Sequence, residues 1–98
     1  MESIYEKSLA VELEKRAIPF RRQLKLELNY KGVVLDEDFR LDLIIGDKVL
    51  VEMKVLKELV PVFEAQLLTY MRLTECWLGL LVNFNVPVLK NGIKRLVL

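Results

Sequence analysis

The 98-residue chain contains no histidine. That absence excludes imidazole metal ligands, histidine-based catalytic triads and most structural zinc patterns. A single cysteine, Cys76, leaves no partner for an internal disulfide and fits a reducing, cytoplasmic setting. No apolar run approaches the ~20 residues needed to cross a bilayer, and the start lacks a basic-then-apolar leader, so no membrane association is expected. Net charge is also missing. The 15 basic residues stand against 14 acidic ones, so nucleic-acid affinity would have to come from local clustering. What is plentiful is apolar material: at 53% hydrophobic residues the chain is no disordered segment. It has enough to build one small layered domain over residues 1–98.

The organising stretch runs from Arg40 to Lys54, RLDLIIGDKVLVEMK. Two apolar runs flank Gly46-Asp47, the signature of a β-hairpin. Three charges interrupt them: Asp42 in the first strand, Glu52 and Lys54 in the second. A two-residue turn would set Asp42 and Glu52 on opposite faces. A three-residue loop instead pairs Ile45 with Val49, Leu43 with Val51 and Leu41 with Met53, making one face wholly apolar. The other face then carries Ile44 opposite Leu50, Asp42 opposite Glu52 and Arg40 opposite Lys54. The second register matches the hydrophobic pattern and is the one expected. It brings two carboxylates to roughly 5 Å at Cβ. Charges that close repel unless a proton or a cation intervenes, and a hard divalent ion suits oxygen ligands. A salt-bridged patch on an exposed sheet face would use the same residues.

The remaining elements frame the hairpin. Residues 1–17 form a helix with Ile4, Tyr5, Leu9 and Leu13 on its apolar stripe, and Glu2 and Glu6 fall on successive turns, as a solvated rim. Pro19 ends it. A strand is expected from Gln23 to Tyr30, where Gln23, Lys25, Glu27 and Asn29 alternate with apolar residues. Lys31-Gly32 is a turn, and Val33 to Asp38 an extended lead into the hairpin. A second helix starts at Pro61 and runs to about Leu73, placing Gln66 and Tyr70 on one face. Trp77 to Asn83 is a continuous apolar run of the buried-strand kind, and Ile93 to Leu98 a last short strand. The order is α-β-β-β-α-β-β, a mixed sheet flanked by helices in the α/β (α+β) class.

Taken together these pieces resemble the PD-(D/E)XK nuclease superfamily, and within it the GxxExxY branch. Glu2-Ser3-Ile4-Tyr5 is similar to the E-x-x-Y of that name, although Met1 stands next to Glu2 and the expected glycine is not in the sequence. Arg40-Leu41-Asp42-Leu43 resembles the strand with the acidic residue, Glu52-Met53-Lys54 the E-x-K, and Gln66 and Tyr70 the Q-x-x-x-Y helix of RecB-like members. WLGLLVNF, from Trp77 to Phe84, resembles the distinctive GLLINF strand. E-x-K alone occurs by chance in many strands; all of these in order are specific.

The resemblance implies a restriction-endonuclease-like core and metal-dependent hydrolysis of nucleic acid, most simply DNA. Asp42, Glu52 and the backbone carbonyl of Met53, with Glu2 beside them, would bind Mg2+ or Mn2+. Lys54 would position or deprotonate water, Gln66 would bind water or a phosphate, and Tyr70 would orient the E-x-K strand. Arg21, Arg22 and Lys25 are candidates for phosphate contacts, and a homodimer or protein partner would supply recognition that so small a chain lacks. The alternative is a catalytically inactive nucleic-acid-binding or interaction module on the same scaffold.

Overall fold

The computed structural model describes residues 2–26, 28–35, 40–57 and 61–98. Helix α1 (Glu2–Lys15) carries an acid in its first turn and a lysine in its last, both favourable to the helix dipole. It closes through a left-handed residue, Ala17 (φ 54°), with the Ile18 N–H donating to the Leu13 carbonyl at 2.9 Å. Helix α2 (Pro61–Thr74) starts on a proline, whose missing N–H would have no intrahelical partner there. It ends as α1 does, through Glu75 (φ 57°) and a 3.0 Å bond from the Cys76 N–H to the Met71 carbonyl. No described helix is long and apolar enough to cross a membrane.

Between the helices lie β1 (Phe20–Lys25), β2 (Leu28–Tyr30), β3 (Val33–Leu35), β4 (Arg40–Ile45) and β5 (Val49–Lys54). After α2 come β6 (Leu78–Asn83), a 3-10 turn at Leu89–Gly92 and β7 (Ile93–Val97). Five strands form one mixed sheet in the order β1-β4-β5-β6-β7. Strands β5 and β6 are parallel, joined through α2, and the other neighbours are antiparallel. For this sheet and its helices the expected α-β-β-β-α-β-β order holds.

The departure is a ribbon of β2 and β3. Alternation predicted one strand from Gln23 to Tyr30, but the chain leaves the main sheet after Lys25. Consecutive left-handed residues, Lys31 (φ 50°) and Gly32 (φ 82°), make the tight turn of a two-residue hairpin, so Leu28–Tyr30 pairs locally with Val33–Leu35. Glu27 and residues 36–38 of the expected strands lie outside the described residues.

The two faces of the main sheet are covered differently. Ile44, Leu50 and Leu81 pack against Leu67, Tyr70 and Met71 of α2. Leu43, Val51, Met53 and Val82 pack toward Leu13 of α1, with Tyr5 and Leu9 at the margin. Helix α1 is rotated from its expected phase: Glu6, Ala10 and Leu13 are its buried residues, while Ile4 is 61% exposed. Tyr5 stacks on Phe84 with ring centroids 4.2 Å apart, which holds that rotation. Trp77 is 75% exposed rather than buried, because β6 begins one residue later.

A polar clamp joins the ends of β5 and β6. Buried Asn83 accepts the N–H groups of Leu56 and Asn85, each at 3.1 Å, and donates to the Leu56 carbonyl at 3.0 Å. Gly92 lies against this clamp, and a Cβ there would run into the Asn83 carbonyl oxygen, with Val86 Cγ2 at 2.9 Å. At Gly79 a Cβ would instead meet the flexible Met71 thioether at 2.7 Å. In urea denaturation Gly92→Ala is therefore expected to destabilise by about 3 kcal/mol, and Gly79→Ala by less, because backbone cannot move aside as a thioether can.

Candidate active site

The β4–β5 hairpin adopts the expected three-residue loop. Ile45 pairs with Val49, Ile44 with Leu50 and Leu43 with Val51. Consecutive left-handed residues, Gly46 (φ 58°) and Asp47 (φ 54°), turn the chain, and Lys48 is the third loop residue. At Leu43 and Val51 the ladder stops, and carboxylates take over from carbonyls. The Asp42 N–H donates to Glu52 Oε1 at 2.9 Å, and the Met53 N–H donates to Asp42 Oδ2 at 2.8 Å. The two acids thus face each other, as the register requires, through reciprocal side-chain-to-backbone bonds.

The break has a counterpart in β1. The β1–β4 register pairs Arg22 with Leu43 and Leu24 with Leu41 but skips Gln23 and Asp42, and Gln23 is left-handed (φ 49°). On one side of this point Phe20 and Leu43 pack toward α1; on the other, Leu24 and Leu41 pack in the α2 layer. Both strands therefore change face together. The expected wholly apolar face of Leu41, Leu43 and Ile45 fails at Leu41 for this reason.

Burial and repulsion govern the charges. Glu52 is pushed from an ordinary 4.5 up to about 7, first by burial and then by the Asp42 charge. Asp42 is raised by burial, with Glu6 and Glu2 adding negative charge, while the Met53 N–H and Lys54 oppose the shift. Tyr70, buried on α2, is raised by burial and then by the charges of Glu52 and Asp42, so its phenol stays protonated. The Lys54 ammonium lies 4.7 Å from the centroid of the Phe63 ring.

A cleft of about 270 Å³ opens beside Asp42, lined by Glu2, Ser3, Glu6 and Gln23. Glu2 is exposed at its rim, whereas Glu6 is buried rather than part of a solvated rim. Glu6 accepts from Arg22 at 2.7 and 3.1 Å and from Gln23 Nε2 at 2.5 Å. On the α2 side a second groove holds exposed Gln66 together with Tyr70, Val62, Ala65 and Thr69. Of the basic candidates, Arg22 is turned to Glu6 and Arg21 to Asp47 at 2.8 Å, while exposed Lys25 stands opposite Arg40. The structure thus gathers Asp42, Glu52, Lys54, Tyr70 and Glu2 around the opened ladder and sets Gln66 at the edge. Sequence reasoning assigned no part to Gln23 or Asn83. A left-handed residue inside a polar-apolar alternation leaves no mark on that alternation.

The donor set suits a hard divalent cation. Backbone N–H groups engage Asp42 Oδ2 and Glu52 Oε1, and the remaining carboxylate oxygens are anionic donors within a repelling pair. Among the described residues no three acids or cysteines converge into a closed ligand set, so water and phosphate oxygens would complete the shell. A family model described as the PD-(D/E)XK nuclease superfamily matches residues 1–96, and the chain belongs to that superfamily. Its five-stranded mixed sheet and two helices are the restriction-endonuclease-like arrangement. Comparison with curated proteins and with solved structures returned no match.

The raised Glu52 value makes stability depend on pH. The folded chain holds that proton more tightly than the unfolded one, so stability is greatest below pH 4.5 on this account and declines as pH rises to 7. The loss amounts to about 3 kcal/mol for a shift of this size. Glu52→Gln keeps an acceptor for the Asp42 N–H and removes the charge. Thermal unfolding between pH 4.5 and 8 should show a shallower decline in that variant than in the parent.

Proposed function

We propose that this superfamily member is a Mg2+- or Mn2+-dependent nuclease of the GxxExxY branch, acting on DNA, with its reacting centre at the opened β4–β5 ladder. The reading is carried by the reciprocal Asp42–Glu52 arrangement, in which two mutually repelling acids, each with one oxygen on a backbone N–H, sit at a sheet end beside a lysine. Asp42 and Glu52 would hold the ion, with the Met53 carbonyl as a third oxygen donor and Glu2 adding negative charge from the rim. When bound, the ion supplies charge stabilisation to a phosphoryl oxygen and a water of lowered pKa.

The chain's own residues account for the rest. Lys54 projects from the strand end two residues past Glu52, where it orients the attacking water and offsets charge developing on phosphoryl oxygens. The Phe63 ring under its ammonium restrains that flexible side chain. Tyr70, kept protonated by burial and then by its acidic neighbours, would donate its O–H toward a phosphate oxygen. Gln66, one turn earlier on α2 and exposed, serves as an amide contact for the incoming strand. Lys25 and Arg40, opposite each other in the β1–β4 register, place two basic residues at the same sheet end, within reach of a phosphate backbone. Arg21 and Arg22, already paired with carboxylates, contribute less.

Asp42→Asn separates charge from fold, since the amide oxygen still accepts the Met53 N–H. It should lower Mn2+-dependent cleavage of single- and double-stranded DNA by at least about 100-fold, as should Lys54→Met, with little change in unfolding midpoint. Calorimetric titration should show Mn2+ binding to the parent that is lost in Asp42→Asn with Glu52→Gln. Parental cleavage by either single variant would place the chemistry elsewhere. DNA binding without metal and without cleavage would favour the inactive module.

A further inference from the structure

One hydrogen-bonded chain reaches Asp42 from α1 and takes no part in the chemistry above. Gln23 lies inside β1, yet its backbone is left-handed (φ 49°), a conformation that disfavours residues with a Cβ. The irregularity coincides with the gap in the β1–β4 ladder directly opposite Asp42. Gln23 Nε2 donates to Glu6 Oε1 at 2.5 Å and stands 3.5 Å from Asp42 Oδ1. Both neighbours are carboxylates that only accept, so the amide nitrogen, not its oxygen, faces them. Glu6, only 5% exposed, is fixed in turn by two bonds from Arg22.

The chemistry of the spot is narrow. A glutamate at position 23 would add a third carboxylate between Glu6 and Asp42, whose repulsion already counts in the Asp42 shift. An asparagine is one methylene shorter. A glutamine alone offers two N–H groups from one neutral nitrogen at this reach.

Resting on the assignment of Asp42 to the reacting centre, we infer that Gln23 is a positioning residue for that carboxylate. Arg22 holds Glu6, Glu6 holds the Gln23 amide, and the amide's second N–H sets the direction of Asp42 Oδ1 while Oδ2 stays on the Met53 N–H. The left-handed backbone is what aims the side chain out of the strand and into the cleft.

Gln23→Gly separates this role from a structural one, because glycine adopts the same backbone without steric cost while the amide is lost. Gln23→Asn, also tolerant of a left-handed backbone, is the second variant. Two readouts on the full chain are needed: amide hydrogen exchange of Met53 in metal-free protein, and Mn2+ affinity by calorimetry. In both variants the Met53 amide should exchange at least about tenfold faster, with Leu50 and Leu81 unchanged, since Asp42 is no longer held on that N–H. Mn2+ should bind the variants at least about fivefold more weakly at an unfolding midpoint no lower than the parent's for Gln23→Gly. Met53 exchange within twofold of the parent in Gln23→Gly would overturn the inference. A parent that binds no Mn2+ would count against the nuclease reading, and the exchange arm would still decide the role of Gln23.

Discussion

Everything at this sheet end depends on one substitution of acceptors. Where β4 and β5 would continue to exchange backbone hydrogen bonds, Glu52 accepts the Asp42 N–H and Asp42 accepts the Met53 N–H. Buried N–H groups need partners, and a carboxylate is a stronger acceptor than a carbonyl. The strands can therefore part without leaving donors unsatisfied; no buried side-chain nitrogen or oxygen among the described residues lacks a partner. The parting leaves Asp42 on the wall of the cleft beside α1, with Glu52 buried behind it.

The same arrangement is electrostatically unfavourable. Two carboxylates half inside a sheet repel, and burial removes the water that would soften the repulsion. The chain answers with a proton, seen in the Glu52 value near 7, and with the nearby Lys54 charge. A divalent cation would answer more completely, because it neutralises both acids at once. What raises the metal-free protein's energy here is what a cation, if bound, would relieve.

Packing supplies the rigidity that this repelling pair needs. The α2 layer, brought close over Gly79, holds Tyr70 against the acid pair from one side. From the other side α1 delivers Glu6, and through it Gln23. Beyond Lys54, the Asn83 clamp and the 2.9 Å bond from the Phe84 N–H to the Lys54 carbonyl anchor the strand end that carries the lysine. The acid pair sits between the two packed layers, so a change in either reaches it.

Much of this was legible from residue order alone. The hairpin register followed from alternation, because a one-residue slip would have put Asp42 and Glu52 on opposite faces among apolar residues. The position of the acid pair, the lysine two residues on and the helix bearing Gln66 and Tyr70 followed from that register and from Pro61. Hidden from the sequence were the face change at Gln23 and Asp42, the rotation of α1 that buries Glu6, and the pairing of Leu28–Tyr30 within a local ribbon. Period-2 and period-3.6 patterns report which face is apolar, and they determined the two helices, the order of the main sheet's elements and the carboxylate pair. They carry no information on which residue takes a left-handed backbone or on the rotational phase of a helix whose stripe mixes acids with apolar residues. Contacts distant in sequence decided those: Tyr5 on Phe84, Arg22 and Gln23 on Glu6, and two strands changing face at one shared point.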